Sequence, residues 1–312
     1  MLKEYLTKLQ EKLCFIFSRY EFGEPIFIIA PPRSGSTLLF ECLTQFKGLF
    51  YIPNEADFAW WRQFPYEKMK HASDYVSARY ASPQKISSIR MDLYREAILN
   101  YLKKAKALKN IDLFLRRRKY RYLDKTIANC FHLEFLNRIF PDAQYIFMVR
   151  DPRANISSMI EGWLYIERFG KPQLTSEVCR LKSKTIQHWT YPAPPGWQNI
   201  IHAQLPEICA WSWKQHIEFA LDFFNRESLS SIMVKYEELV DSPIHMLEYL
   251  SDKLHLKLSG KVKKYFEIPS ISRTTVSFPY NDKWKTKNYS QIIKIMPMIE
   301  DTATKLGYNL NL

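Results

Sequence analysis

Residues 25–40 read PIFIIAPPRSGSTLLF, and this stretch decides the fold class. Residues 26–30 form a continuous apolar run, the pattern of a strand covered on both faces. Leu38, Leu39, Cys42, Leu43 and Phe46 then recur at three- and four-residue steps, which is a helical period. Between them lies a short loop of Pro, Arg, Ser, Gly and Thr. A strand that passes through such a loop into a helix offers the helix's first backbone N–H groups to an anion. The G-x-x-x-x-G-K-[ST] template of ATP- and GTP-binding loops fits this stretch poorly. Ala30 takes the first glycine's place, Gly35 the second, Ser36 that of the lysine and Thr37 that of the hydroxyl. The cation sits inside the loop instead, at Arg33, and no G-x-G-x-x-G fingerprint is present. Hydroxyls, a guanidinium and a helix N-terminus suit a tetrahedral anion. The competing reading is a Ser/Thr-rich helix cap, for which Ser34 and Ser36 are suitable.

Three further segments resemble buried parallel strands: residues 122–124, 145–149 (YIFMV) and 232–235 (IMVK). Helical patterns separate them. Phe131, Phe135, Leu136 and Ile139 form one, residues 210–224 a long aromatic one, and residues 243–254 another, started by Asp241-Ser242-Pro243. This alternation predicts an α/β fold: a central parallel β-sheet flanked by helices on both faces, with helical and loop insertions. Ligands of such sheets bind beyond the carboxyl ends of the strands. At those ends the sequence places Lys125 after the second strand, Arg150 after the third and Tyr236 after the fourth. Arg150 and Ser158, eight residues apart across a strand–loop–helix junction, can converge on one phosphate.

With 312 residues, 46% of them hydrophobic, the chain needs no disulfide or metal staple, and one domain spanning 1–312 is the simplest parse. Its five cysteines (Cys14, Cys42, Cys130, Cys179 and Cys209) form no C-x-x-C pair and are expected as small buried residues of a reducing compartment. Residues 1–20 read as a short amphipathic helix without a signal peptide's apolar centre, and no run approaches a membrane span. A cytoplasmic protein is expected. The formal net charge of +13, with basic runs at residues 103–109 and 116–121, favours a polyanionic ligand. Solvated helix faces or loops would explain the runs equally well. Two stretches, about 56–121 and 162–205, break the strand–helix scheme and are expected to shape a binding pocket. Trp189, Trp197, Trp211 and Trp213 either fill the core or line that pocket, and the prolines of YPAPPGW (residues 191–197) exclude regular helix or central strand there.

The junctions together resemble the sulfotransferase family, which uses 3′-phosphoadenosine 5′-phosphosulfate (PAPS) as sulfuryl donor and releases 3′,5′-adenosine bisphosphate (PAP). Residues 31–37, PPRSGST, match the family's phosphosulfate loop PxRSGTT. RDPR at 150–153 with Ser158 matches its 3′-phosphate motif. Lys125-Thr126, the YEEL turn at 236–239 and Lys283-Trp284 follow in the family's order. The resemblance implies a P-loop-like three-layer sandwich. It implies that Arg33, Ser34, Gly35, Ser36 and Thr37 hold the phosphosulfate and that Arg150 and Ser158 hold the 3′-phosphate. Tyr236, Lys283 and Thr274 would complete the nucleotide site. Arg153 is either a further phosphate contact or a surface cation.

Sulfuryl transfer needs an aligned nucleophile, cations for the developing charge and a base for the acceptor's proton. Arg33 and Lys125 are the candidate cations, and no metal is expected. One branch of the family uses the histidine of a KTH triplet as base; here the triplet is Lys125-Thr126-Ile127. Another branch uses a glutamate shortly after the phosphosulfate loop and its helix, which points to Glu55, 22 residues beyond Arg33. Asp57 and His132 are the other candidates. The expected acceptor is a hydroxyl or amine of a small molecule such as a natural product, alkaloid or glycolipid, and no nucleic acid is expected. Sulfation of an acidic glycan or peptide, a non-catalytic basic nucleic-acid-binding protein and a nucleotide kinase are the alternatives; the missing lysine counts against the last.

Overall fold

The computed structural model describes residues 21–65, 73–104, 119–169, 189–258, 273–275 and 282–311. The amphipathic stretch 1–20, Cys14, Cys179, most of the basic run 103–109, residues 116–118 and the centre of the 162–205 stretch lie outside the described residues. No described helix is long and apolar enough to cross a membrane.

Within the described residues the strands are β1 (Glu21–Phe22), β2 (Ile26–Ile29), β3 (Leu49–Tyr51), β4 (Lys119–Asp124), β5 (Gln144–Val149) and β6 (Ser231–Lys235). All their pairings are parallel. β2 lies between β4 and β5, β6 follows β5, β3 pairs with β4, and β1 pairs with the start of β4. The chain therefore leaves β2 toward one side of the sheet and later returns to its other side. The ends of β2, β4 and β5 thus meet at a topological switch point, where such sheets open a crevice.

The continuous apolar runs arise because both faces are covered. Ile26, Ile28, Leu123, Ile146, Met148 and Val234 pack toward one core with Leu39, Leu43, Leu247 and Leu250. Phe27, Ile29, Tyr122, Tyr145, Phe147 and Val149 face the other, with Trp60, Trp163, Trp213, Phe224 and Ile299. The first core lies under the helices α1 (Ser36–Leu43), α7 (Tyr236–Asp241) and α8 (Pro243–Lys253). The second lies under α2 (Asp57–Gln63), α3 (Pro83–Lys104), α4 (Leu133–Ile139), α5 (Pro152–Phe169), α6 (Leu205–Arg226) and α10 (Tyr289–Lys305), with the short α9 (Lys283–Lys287) beside them. Cys42, Cys130 and Cys209 are buried free thiols.

Three departures from the sequence reading have physical causes. β4 is twice the expected length, because charged Arg121 conceals its start: the guanidinium donates to the carbonyls of Glu24 and Leu254 and to Gln144. Residues 162–169 continue α5 rather than opening a loop. The unanticipated α10 holds Pro297 in its interior, and buried Ile292, Ile295 and Ile299 supply its packing face.

Candidate functional site

The loop after β2 is held by its carbonyls. Cys130 Sγ donates to Ala30 O at 3.3 Å, Asn155 Nδ2 to Pro32 O at 2.7 Å and Arg150 Nη1 to Arg33 O at 3.3 Å. Three of the loop's negative dipoles are thereby engaged from the β4 and β5 junctions. Neither Ser34 nor Ser36 caps α1; Gly35 is its N-cap residue, with φ 96°. Arg33, at φ 65°, is also left-handed, a conformation that costs a non-glycine residue free energy and tends to occur at binding loops. A Cβ on Gly35 would stand 2.3 Å from Tyr236 Cδ2. Gly35→Ala is expected to lower the melting temperature, since the left-handed backbone alone costs about 1–2 kcal/mol. A variant as stable as wild type would show that the Tyr236 ring yields.

At the end of β5, the Arg150 guanidinium lies 4.3 Å from the centre of the Tyr236 ring. Glu237 accepts the Asp151 N–H at 2.9 Å, so the Tyr236-Glu237 pair seats Arg150-Asp151 beside it. Burial lowers the Arg150 pKa, opposed by Tyr236 and Glu237, and the nearby Arg33 cation lowers it further. Arg33 Nε and Arg150 Nε are enclosed and without a hydrogen-bond partner, so an anion in reach of these side chains would meet their other guanidinium nitrogens. Arg33 Nη1 also donates to Thr274 O at 2.8 Å, which draws residues 273–275 over the loop. Lys283, on α9, pairs with Glu161 of α5 at 2.5 Å.

At the end of β4, three successive residues grip the segment Glu55-Ala56. Lys125 Nζ donates to Glu55 Oε1 at 2.8 Å, Thr126 Oγ1 accepts the Ala56 N–H at 2.7 Å, and the Ile127 N–H donates to Glu55 Oε2 at 3.4 Å. An ammonium carries three donors, so this ion pair leaves Lys125 capacity for a second anion. The Lys125 side chain is 7% exposed and that of Glu55 24%, so the carboxylate is open on one side.

Arg33, Gly35, Ser36, Thr37, Glu55, Lys125, Arg150, Ser158, Tyr236, Thr274 and Lys283 all line one cleft of about 330 Å³ at the carboxyl ends of the strands. Ser34 does not line it: the residue is fully buried, its hydroxyl unpartnered. Arg153 stands apart as well, bonded to Asp151 and lying over the Trp284 ring at 5.1 Å. The two other base candidates are turned inward. Asp57 is buried behind Glu55, and burial, with Glu55, Asp74 and Asp124 nearby, raises its pKa well above the carboxylate range. His132 is buried against Trp60, ring centres 4.1 Å apart, and burial lowers its pKa to about 3.

The remaining wall was only partly foreseen. Trp189, Trp197 and Trp213 are core residues, and the YPAPPGW stretch instead offers Tyr191 and Pro192 to the cleft, next to Thr190. Tyr191 donates to Met159 O at 2.9 Å, and Gly162 makes room for it: a Cβ there would lie 2.5 Å from the Tyr191 hydroxyl. Glu161, Gly162, Tyr165 and Ile166 extend the wall along α5. A mid-helix glycine was the available signal, since an interior glycine marks close approach.

Comparison with known proteins accords with this geometry. The model of a sulfotransferase family matches residues 25–260. No curated protein matches the chain. Among solved structures, sulfotransferase STF9 from Mycobacterium avium is similar over 99% of this chain and 82% of its own, at 13% identity and a TM-score of 0.51. The sulfotransferase domain from the curacin biosynthetic pathway is similar over 93% of this chain and 100% of its own, at 17% identity and a TM-score of 0.49. Mouse sulfotransferase SULT7A1, complexed with PAP, is similar over 93% and 88%, at 13% identity and a TM-score of 0.47. At 13% identity the likeness to STF9 is one of fold.

Proposed function

The chain belongs to the sulfotransferase family, and from that premise we propose that it moves a sulfuryl group from PAPS to a hydroxyl or amine of a small-molecule acceptor. One observation carries this reading: Arg33 and Arg150, from the loops that follow two neighbouring central strands, line the same cleft as the Glu55–Lys125 pair. PAPS supplies the activated sulfuryl group and a leaving phosphate. Arg33, Gly35, Ser36 and Thr37 would bind its 5′ end, and Arg150 with Ser158 its 3′-phosphate. Tyr236, Thr274 and Lys283 would border the nucleotide. Ser34, whose side chain is buried, would contribute its backbone N–H rather than its hydroxyl.

Glu55, with Lys125 orienting its carboxylate, would accept the acceptor's proton. Asp57 and His132, facing inward, are less suited to that task. The acceptor would enter between Glu55 and the wall of Ile127, Tyr165, Ile166, Tyr191 and Pro192, the last four of which belong to the 162–205 stretch. This mainly apolar wall favours a partly apolar small molecule over an acidic glycan.

A thermal-shift experiment tests the donor. PAP without magnesium is expected to raise the melting temperature, by linkage about 2.7 kcal/mol at a concentration of roughly 100 times Kd. Stabilisation by ATP with magnesium, and none by PAP, would favour the kinase reading. A screen of alcohols, phenols, amines and sugars for PAP release from PAPS then identifies the acceptor class.

A further inference from the structure

Asp124 closes β4 and is 3% exposed, yet its carboxylate meets donors on every side. Tyr122 OH reaches Oδ1 at 3.1 Å and Thr126 Oγ1 the same oxygen at 3.1 Å; the Thr126 N–H reaches Oδ2 at 3.2 Å and Asn129 Nδ2 at 2.6 Å. A buried carboxylate so surrounded is fixed, and so is what it holds. The Thr126 hydroxyl has one hydrogen, given to Asp124, so its lone pair is directed at the Ala56 N–H, 2.7 Å away. Ala56 follows Glu55 directly. The chain of bonds Asp124–Thr126–Ala56 therefore sets the backbone from which the Glu55 carboxylate projects, while Lys125 and the Ile127 N–H set the carboxylate itself.

We propose that Asp124 and Thr126 are positioning residues that place Glu55 against the acceptor, acting through the Ala56 amide without touching either substrate. The proposal rests on the sulfotransfer reading above, with Glu55 as base. Neither residue lines the cleft, and their side-chain bonds go to the base-bearing segment, to each other and to Tyr122 and Asn129, rather than to the loops that carry Arg33 and Arg150. Loss of the threonine hydroxyl should thus weaken the chemistry and leave the nucleotide site intact. A displacement of about 1 Å at a reacting group can cost on the order of 100-fold in rate.

The test compares Thr126→Val, Thr126→Ser and wild type for two readouts: PAP affinity by calorimetry, and PAP release from PAPS with 2-naphthol as acceptor or, where no naphthol turnover occurs, with water. Thr126→Val, similar in shape but without the hydroxyl, is expected to lower kcat by roughly 10- to 100-fold with PAP affinity within about twofold. Thr126→Ser restores the hydroxyl and is expected to recover most of kcat. Asp124→Asn, which places an amide where donors converge, should behave like Thr126→Val if it folds; the threonine pair decides the matter if it does not. Unchanged kcat in Thr126→Val, or PAP affinity falling in step with kcat, overturns the positioning role while the sulfotransfer reading stands. A wild-type protein that neither binds PAP nor releases it from PAPS overturns the reading beneath it.

Discussion

Glu55→Gln is expected to lower turnover by about 10²- to 10⁴-fold, the usual contribution of a positioned general base, with PAP affinity nearly unchanged. The glutamine keeps the shape and one acceptor oxygen for the Lys125 ammonium, so the β4 junction has no cause to collapse. What it loses is the ability to take a proton. The carboxylate is half-enclosed: Lys125 Nζ at 2.8 Å and the Ile127 N–H at 3.4 Å occupy its inner side, and the open side faces the cleft. Asp57 cannot readily replace it. Burial and three neighbouring carboxylates raise its pKa well above the usual range, and it does not line the cleft. His132, buried against Trp60, has no path to the acceptor either. Steady-state kinetics beside calorimetry make the comparison. Full turnover in the variant would remove Glu55 from the role of base.

The second large effect is expected at Arg150. Arg150→Ala should weaken PAP binding by about 30-fold or more, because truncating one member of a buried, hydrogen-bonded charge pair costs about 2–5 kcal/mol. Arg150 lies against the Tyr236 ring and the Arg33 carbonyl, and it lines the cleft. Arg150→Lys should recover only part of the loss. A lysine keeps the charge but has no planar fork to lie on Tyr236 while donating past it. Titration calorimetry with PAP distinguishes the three proteins. Wild-type affinity in Arg150→Ala would detach the 3′-phosphate from this junction.

The sulfotransferase motifs were legible because the chemistry of anion binding is local. A strand, a short loop and a helix N-terminus form a site within a dozen residues, so 25–40 and 145–158 each carry their own signal. The same locality leaves two things hidden. Ser34 lies in the middle of the motif, yet its side chain is fully buried, so only its backbone could meet an anion. β4 hides its first half behind Arg121, whose charge is paired with carbonyls distant in the chain.

The sequence by itself determined the α/β class, the four central strands and the residue types that meet an anion, because each depends on periodicity or on a motif within one loop. The tertiary structure alone decided which side chains share a space. Glu55 and Lys125 are 70 residues apart in the chain and 2.8 Å apart in the fold; Glu161 and Lys283 are 122 apart and form an ion pair. The tryptophans could line a pocket or fill a core by pattern alone, and packing sent Trp189, Trp197 and Trp213 inward while Tyr191 reached the cleft. The physical reason is the same in each case. A side chain's partner across the sheet is set by strand order and helix packing, which no spacing along the chain records.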